Sequence, residues 1–331
     1  MPNKLLRSPQ NITSTGGSGA VESARLIIEI DDVVRYTLVK PSIGTAAVVF
    51  EVGELCRDYL NLTFNGTYAQ SIAGLKLEFI LTFWDGVNAT GNIVNTYQPA
   101  AQYGYDGYGI FVEGNSPNLP NNATCISNYT QTSGGTKTYT IFAPLSYGGR
   151  IPSLNSTGTA IFYESFSTSG TTKQLQNGQV VNIKRYECSK YDDGLQIFFV
   201  NKYGAIQEEW FTLKNVEAIK SRREQYNRNI ISSTGSYDIN THTRQDFNVN
   251  ALQEFILNSD FMPDYYNTVY TELLQSEQVW IRMKNFYTNT LITTPVNITT
   301  NDLVYKTSLN DRLVQFTFAF NLSADYINNI R

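Results

Sequence analysis

From residue 75 the chain reads LKLEFILTFWD, in which Leu75, Leu77, Phe79, Leu81 and Phe83 alternate with Lys76, Glu78, Ile80, Thr82 and Trp84. One face is uniformly apolar and the other mixed, which predicts a sandwich strand. The run LIIEIDDVVRYTLVK at 26–40 holds two β-rich stretches around Asp31-Asp32 and predicts a hairpin, with TAAVVF at 45–50 as a third strand. The period then changes: Val52, Leu55, Cys56, Tyr59 and Leu60 share the spacing of a short amphipathic helix. Strand patterns return in AIFYESF (160–166), QVVNIKRYEC (179–188) and GLQIFFVNKYGAIQEEWFTL (194–213). In the last of these, NKYG at 201–204 predicts a hairpin turn because Gly204 can take a positive φ. The charged stretch Lys214 to Arg228 reads equally as a strand end followed by a loop or as a short helix. The clearest helix runs from Pro263 to about Ser276, with Tyr266, Val269, Tyr270, Leu273 and Leu274 in one stripe. Strands QVWIRM, LVYKTSL and RLVQFTFAFNL close the chain, with Val314, Phe316, Phe318 and Phe320 on one face of the last.

These patterns define a mainly β fold: antiparallel β-sandwich-like domains with a few short helices. Three regions are expected. Residues 1–24, polar and Gly/Ser-rich, read as a flexible N-terminal arm. Residues 25–195 read as a β-rich domain with long Gly-, Asn- and Tyr-rich loops at 86–160, and residues 196–331 as a C-terminal β domain carrying the amphipathic helix. Composition supports strands, since 22 Tyr and 18 Phe accompany only 3 Met.

Charge and chemistry mainly exclude functions. A net charge of −4 gives no general reason to bind nucleic acid. No apolar stretch approaches the roughly 20 residues of a membrane helix, and no signal-peptide core is visible near the start, so neither a membrane partner nor export is expected. Cys56, Cys125 and Cys188 are odd in number and widely spaced, which argues against a disulfide framework or a zinc site. His242 is the only histidine, sits among polar residues and has no nucleophile motif beside it. No P-loop or GxGxxG follows a strand, so no cofactor is expected. The doublets Asp192-Asp193 and Glu208-Glu209 read as solvated charge at strand ends, because adjacent strand residues point to opposite faces and cannot converge as a glycosidase pair. A non-enzymatic protein without bound metal is expected.

Two features invite a binding reading. Tyr103, Tyr105 and Tyr108, with Phe111 beyond and Trp84 as a possible neighbour, could form an aromatic platform for sugar rings or a partner chain, or simply a loop packed on its own domain. The basic residues Lys214, Lys220, Arg222, Arg223 and Arg228 could line a nucleic-acid channel, meet an acidic neighbour, or form an ordinary solvated face.

Three segments together, RYTLVKPSIGTAAVVFEVGELCRDYL (35–60), FFVNKYGAIQEEWFTLK (198–214) and the C-terminal series ELLQSEQVWI and PVNITTNDLVYKTSLNDRLVQFTFAFNLSADYINNIR, resemble virion structural proteins of tailed phages infecting Bacteroidota, including the crAss-like phages. The resemblance covers about half of the chain. It implies a subunit of the short tail, a hub or homo-oligomeric ring assembled in the host cytoplasm with other tail, portal-side or fibre proteins and in possible non-specific contact with DNA in the channel. The alternative is a carbohydrate- or receptor-binding module of a tail fibre or adhesin, with the Tyr-rich loops as its site.

Overall fold

Alternation along the chain becomes a set of sheets in the computed structural model, which describes residues 3–17, 21–42, 45–127, 129–131, 137–145, 147–187, 195–285, 288–304 and 313–326. The chain is mainly β, with 51% strand and 8% helix, in several antiparallel sheets. The first sheet has the order Asn118–Leu119, Asn3–Leu5, Gln102–Tyr105, Leu75–Trp84, Ser23–Ile30 and Val33–Pro41, with Ile93–Tyr97 also on Leu75–Trp84. Ser23–Ile30 and Leu75–Trp84 bury alternate residues, so Ala24, Leu26, Ile28, Leu77, Phe79, Leu81 and Phe83 form one apolar face. The hairpin at Asp31-Asp32 forms with both aspartates at positive φ, 50° and 63°, and Ile30 paired to Val33. Two left-handed residues suit the twist of the flanking strands, and a short polar side chain tolerates that conformation best after glycine.

The expected N-terminal arm is instead part of the fold. Asn3–Leu5 lies between Asn118–Leu119 and Gln102–Tyr105, running parallel to the latter, and Asn11–Thr15 pairs with Ala47–Glu51. Polar composition misleads here because the side chains serve distant backbone groups. Gln10, fully buried, donates through Nε2 to the carbonyls of Leu5 and Pro117 at 3.0 and 2.9 Å. These two bonds use both N–H groups of the buried amide, which offsets the donor side of its desolvation cost.

The 86–160 region holds more strand than its composition suggests. Lys137–Pro144 runs parallel to Val180–Tyr186 in a four-stranded sheet, and Gly149–Leu154 pairs with Ala160–Phe166 in a three-stranded one. The C-terminal sheet has seven strands, all antiparallel, in the order Ile206–Phe211, Leu195–Val200, Val279–Lys284, Leu291–Ile298, Thr317–Leu322, Arg244–Asn258 and Val216–Asn227. The charged stretch Lys214–Arg228 is thus largely the edge strand Val216–Asn227. The helix is shorter than its apolar stripe: a 3-10 turn Asp264–Tyr266 leads into Asn267–Leu274, burying Tyr266, Val269, Tyr270 and Leu273 against Phe211, Phe318 and Phe320. The expected strand at LVYKTSL lies mostly outside the described residues.

No described strand before residue 195 pairs with one after it. The core nevertheless crosses that point, since Leu5, Tyr105, Leu154, Ile161 and Tyr163 pack with Phe198, Val200, Ile206 and Trp280. Strand Ile206–Phe211, at the edge of the C-terminal sheet, is consequently buried along its whole length.

Candidate functional site

The tyrosine cluster does not form a platform. Tyr105 is 3% exposed and donates its hydroxyl to the Gly158 carbonyl at 2.9 Å, and Tyr103 packs half-buried beside it. Tyr108 lies under the Arg7 guanidinium, 5.0 Å from its ring centroid. Trp84 is at the far end of the strand whose first residues pair with Gln102–Gly104. Only Phe111 of the expected set stands free: it is 99% exposed, and Val112 beside it 83%. Their 3-10 turn is pinned by Glu113, which accepts from the Ile110 amide at 2.9 Å and pairs with Lys202 at 2.5 Å. Two adjacent apolar side chains are thus held out in solvent by a fixed turn.

The basic run is split by strand geometry. Lys220 and Arg222 fall on one face of Val216–Asn227 and Arg223 on the other. Lys220 pairs with Glu254 at 2.6 Å, Arg222 with Glu224 at 3.7 Å and Arg223 with Asp246 at 2.9 Å. Gln225 and Arg223 together hold the Asp246 carboxyl below its usual range. Lys214 is exposed before the strand, and Arg228 is exposed after it. From 216 to 258 the hairpin carries five basic and five acidic side chains, so it is no cationic surface. Beyond Ala251 its strands pair, among the described residues, only with each other, a bulge with Asn248 at φ 53° twists the outer half, and Ile231, Tyr237 and Ile239 are exposed at the tip.

The sequence-based reading of Glu208-Glu209 as solvated charge is overturned. The strand does send them to opposite faces, but both faces are covered. Glu209 accepts from the Tyr266 hydroxyl at 2.7 Å and from Gln207 Nε2 at 3.3 Å, in the helix-covered core. Glu208 accepts from Gln196 Nε2 at 2.8 Å and from the Arg150 amide. Loss of water pushes each carboxyl up to about 8, so both are mainly protonated at neutral pH. Glu272 is raised to about 7 by the same cause. Burial also drives the Cys56 thiol up to about 12, which leaves it unreactive; Cys125 is likewise buried and free, and Cys188 lies outside the described residues.

Glu208 stands at the wall of a cleft of about 540 Å³ between the three-stranded sheet and the C-terminal sheet, which no pattern in the sequence announces. Gln196 links its two sides: its Nε2 donates to Glu208 and its Oε1 accepts from Arg282 Nη1 at 3.1 Å. Arg282 also donates to the Gly66 carbonyl and lies 4.9 Å from the Phe198 ring centroid. Gly149 makes the approach possible, because a Cβ there would sit 1.9 Å from Glu208 Oε1 and 2.6 Å from the Phe166 ring. Among the described residues no group of three or more His, Cys, Asp or Glu could hold a metal ion, and no helix is long and apolar enough to cross a membrane. Comparison with protein-family models, curated proteins and solved structures finds no match to this chain.

Proposed function

We propose that the chain is a non-enzymatic structural subunit of a bacteriophage virion, a hub or ring component of a short tail that assembles with copies of itself and with neighbouring tail or fibre proteins. The observation that carries the reading is the outer half of the hairpin Val216–Asn227 and Arg244–Asn258, which is exposed on both faces and ends in apolar side chains. A two-stranded ribbon is marginal alone in water, and a neighbour that covers it would supply the missing burial. The Phe111–Val112 knob offers a second contact of the same kind, and repeated heterologous contacts of this sort close into rings under rotational symmetry. The virion assignment itself rests on the resemblance of residues 35–60, 198–214, 272–281 and 295–331 to phage structural proteins.

The experiment replaces residues 228–243 by a two-residue turn and compares incorporation into particles with that of the intact chain. The shortened chain should keep its melting transition, because the tip touches no core cluster, and should be depleted from particles. Full incorporation of the shortened chain, or a single copy per particle for the intact one, would overturn the ring reading.

A further inference from the structure

We propose that the cleft between the Tyr147–Arg150 segment and the strand Val279–Lys284 is a binding site for an acidic sugar, a pyranose ring bearing a carboxylate such as a hexuronate unit of a glycan. The site stands apart from the assembly surfaces above, and its test does not depend on them.

The first observation is an unbalanced charge. Arg150, Arg282 and Lys284 all line the cleft, and among the described residues none of them belongs to an ion pair. Lys220, Arg222 and Arg223 of the long hairpin, by contrast, have acidic partners. The one carboxyl at the cleft, Glu208, is buried and mainly protonated at neutral pH, so it does not cancel the three cations. A cleft with this balance favours an anion. Guanidinium groups suit a carboxylate in particular, because their paired N–H groups match its two oxygens.

The second observation is the character of the walls. Gln196 and protonated Glu208 place a donor and acceptor array on one side, already ordered by the chain of hydrogen bonds from Arg282 through Gln196 to Glu208. Ring hydroxyls both donate and accept, so they need an array of this mixed kind. Tyr147 and Phe166 on the facing segment, with the exposed Leu291 at the mouth, give the cleft an apolar lining that fits the C–H face of a pyranose. The volume of about 540 Å³ falls within the roughly 300–1,000 Å³ of small-molecule sites, larger than a bare anion requires. An acidic peptide would be better served by cations spaced along an open groove than by three cations around one hollow.

The test titrates the purified full chain at pH 6.5 with D-glucuronate, D-glucose, acetate and a triglutamate peptide, following binding by calorimetry. Glucuronate should saturate one site, with glucose and acetate each weaker by about tenfold or more. Lys284→Glu and Arg150→Glu, both at exposed side chains, should each weaken glucuronate by about tenfold while the melting temperature stays near that of the parent. The wild-type titrations decide the matter even if a variant fails to fold. No saturable glucuronate binding, equal binding of glucose, equal binding of acetate, or preference for the peptide would each overturn the proposal.

Discussion

Replacing Glu209 by Gln tests the energetics of the buried strand Ile206–Phe211 directly. Gln has the shape of a protonated glutamate, and its Oε1 can keep the 2.7 Å hydrogen bond from Tyr266. In the fold the carboxyl titrates at about 8, against 4.5 for an unburied one. The fold therefore holds a proton that the unfolded chain releases above about 4.5, so wild-type stability is greatest below that pH and falls as pH rises towards 8. Above 8 the native carboxyl ionises as well and the loss stops growing. A midpoint displaced this far corresponds to roughly 4–5 kcal/mol for one isolated carboxyl, and a value of about 2–4 kcal/mol is expected after the strand relaxes and admits water. Glu208, adjacent in sequence and titrating in the same range, adds its own contribution, and the two are coupled rather than additive. Urea unfolding followed by the fluorescence of buried Trp210 and Trp280 measures the difference at pH 4.5, 7 and 8.5. Glu209→Gln should match wild type within about 1 kcal/mol at the lowest pH and exceed it by about 2–4 kcal/mol at the highest. A difference that is constant across this range, or a variant less stable than wild type at pH 8.5, would refute the argument that desolvation governs this carboxyl.

Two further substitutions probe buried polar groups of opposite status. The Tyr68 hydroxyl is shielded from solvent without a hydrogen-bond partner among the described residues, while its ring packs on Phe64 and Tyr163 at centroid distances of 5.0 and 4.9 Å. Tyr68→Phe should accordingly be neutral or stabilising by up to about 1 kcal/mol in chemical denaturation, and a loss above that would reveal a partner for the hydroxyl. Asn201 is the reverse case: fully buried, it donates to the Cys125 carbonyl at 2.7 Å and accepts from the Tyr203 and Ala205 amides at 3.0 and 3.1 Å. Asn201→Ala leaves three backbone groups unpaired at a buried turn and should cost about 2–4 kcal/mol by the same assay; a cost below about 1 kcal/mol would mean that water replaces the side chain.

Much of the local structure was legible because it depends on neighbours in the chain. The alternation at Leu75–Trp84 and at Val314–Phe320, the turn at Asp31-Asp32 and the apolar stripe of Asn267–Leu274 each follow from side-chain period or backbone sterics within a few residues. Gly204 illustrates the point: the turn needs positive φ, found at 78°, and a Cβ would also meet the Asp106 amide at 2.8 Å. The mainly β class is the sum of such local readings.

What the sequence by itself could not decide is where polar groups find their partners. Asn3–Leu5 and Gln10 look like a solvated arm until Gln102–Tyr105 and Pro117 are brought beside them. Glu208 and Glu209 look like surface charge until the Gly149–Leu154 segment covers one face of their strand and Tyr266 the other. Tyr105 resembles a binding residue and is core, while the cleft that unites Arg150, Gln196, Glu208 and Arg282 draws on segments more than one hundred residues apart. Secondary structure answers to short-range sterics and period, so it can be read along the chain. The protonation of a carboxyl, the pairing of an amide and the charge of a cleft answer to water exclusion and to contacts across the fold, and those exist only once the sheets have packed.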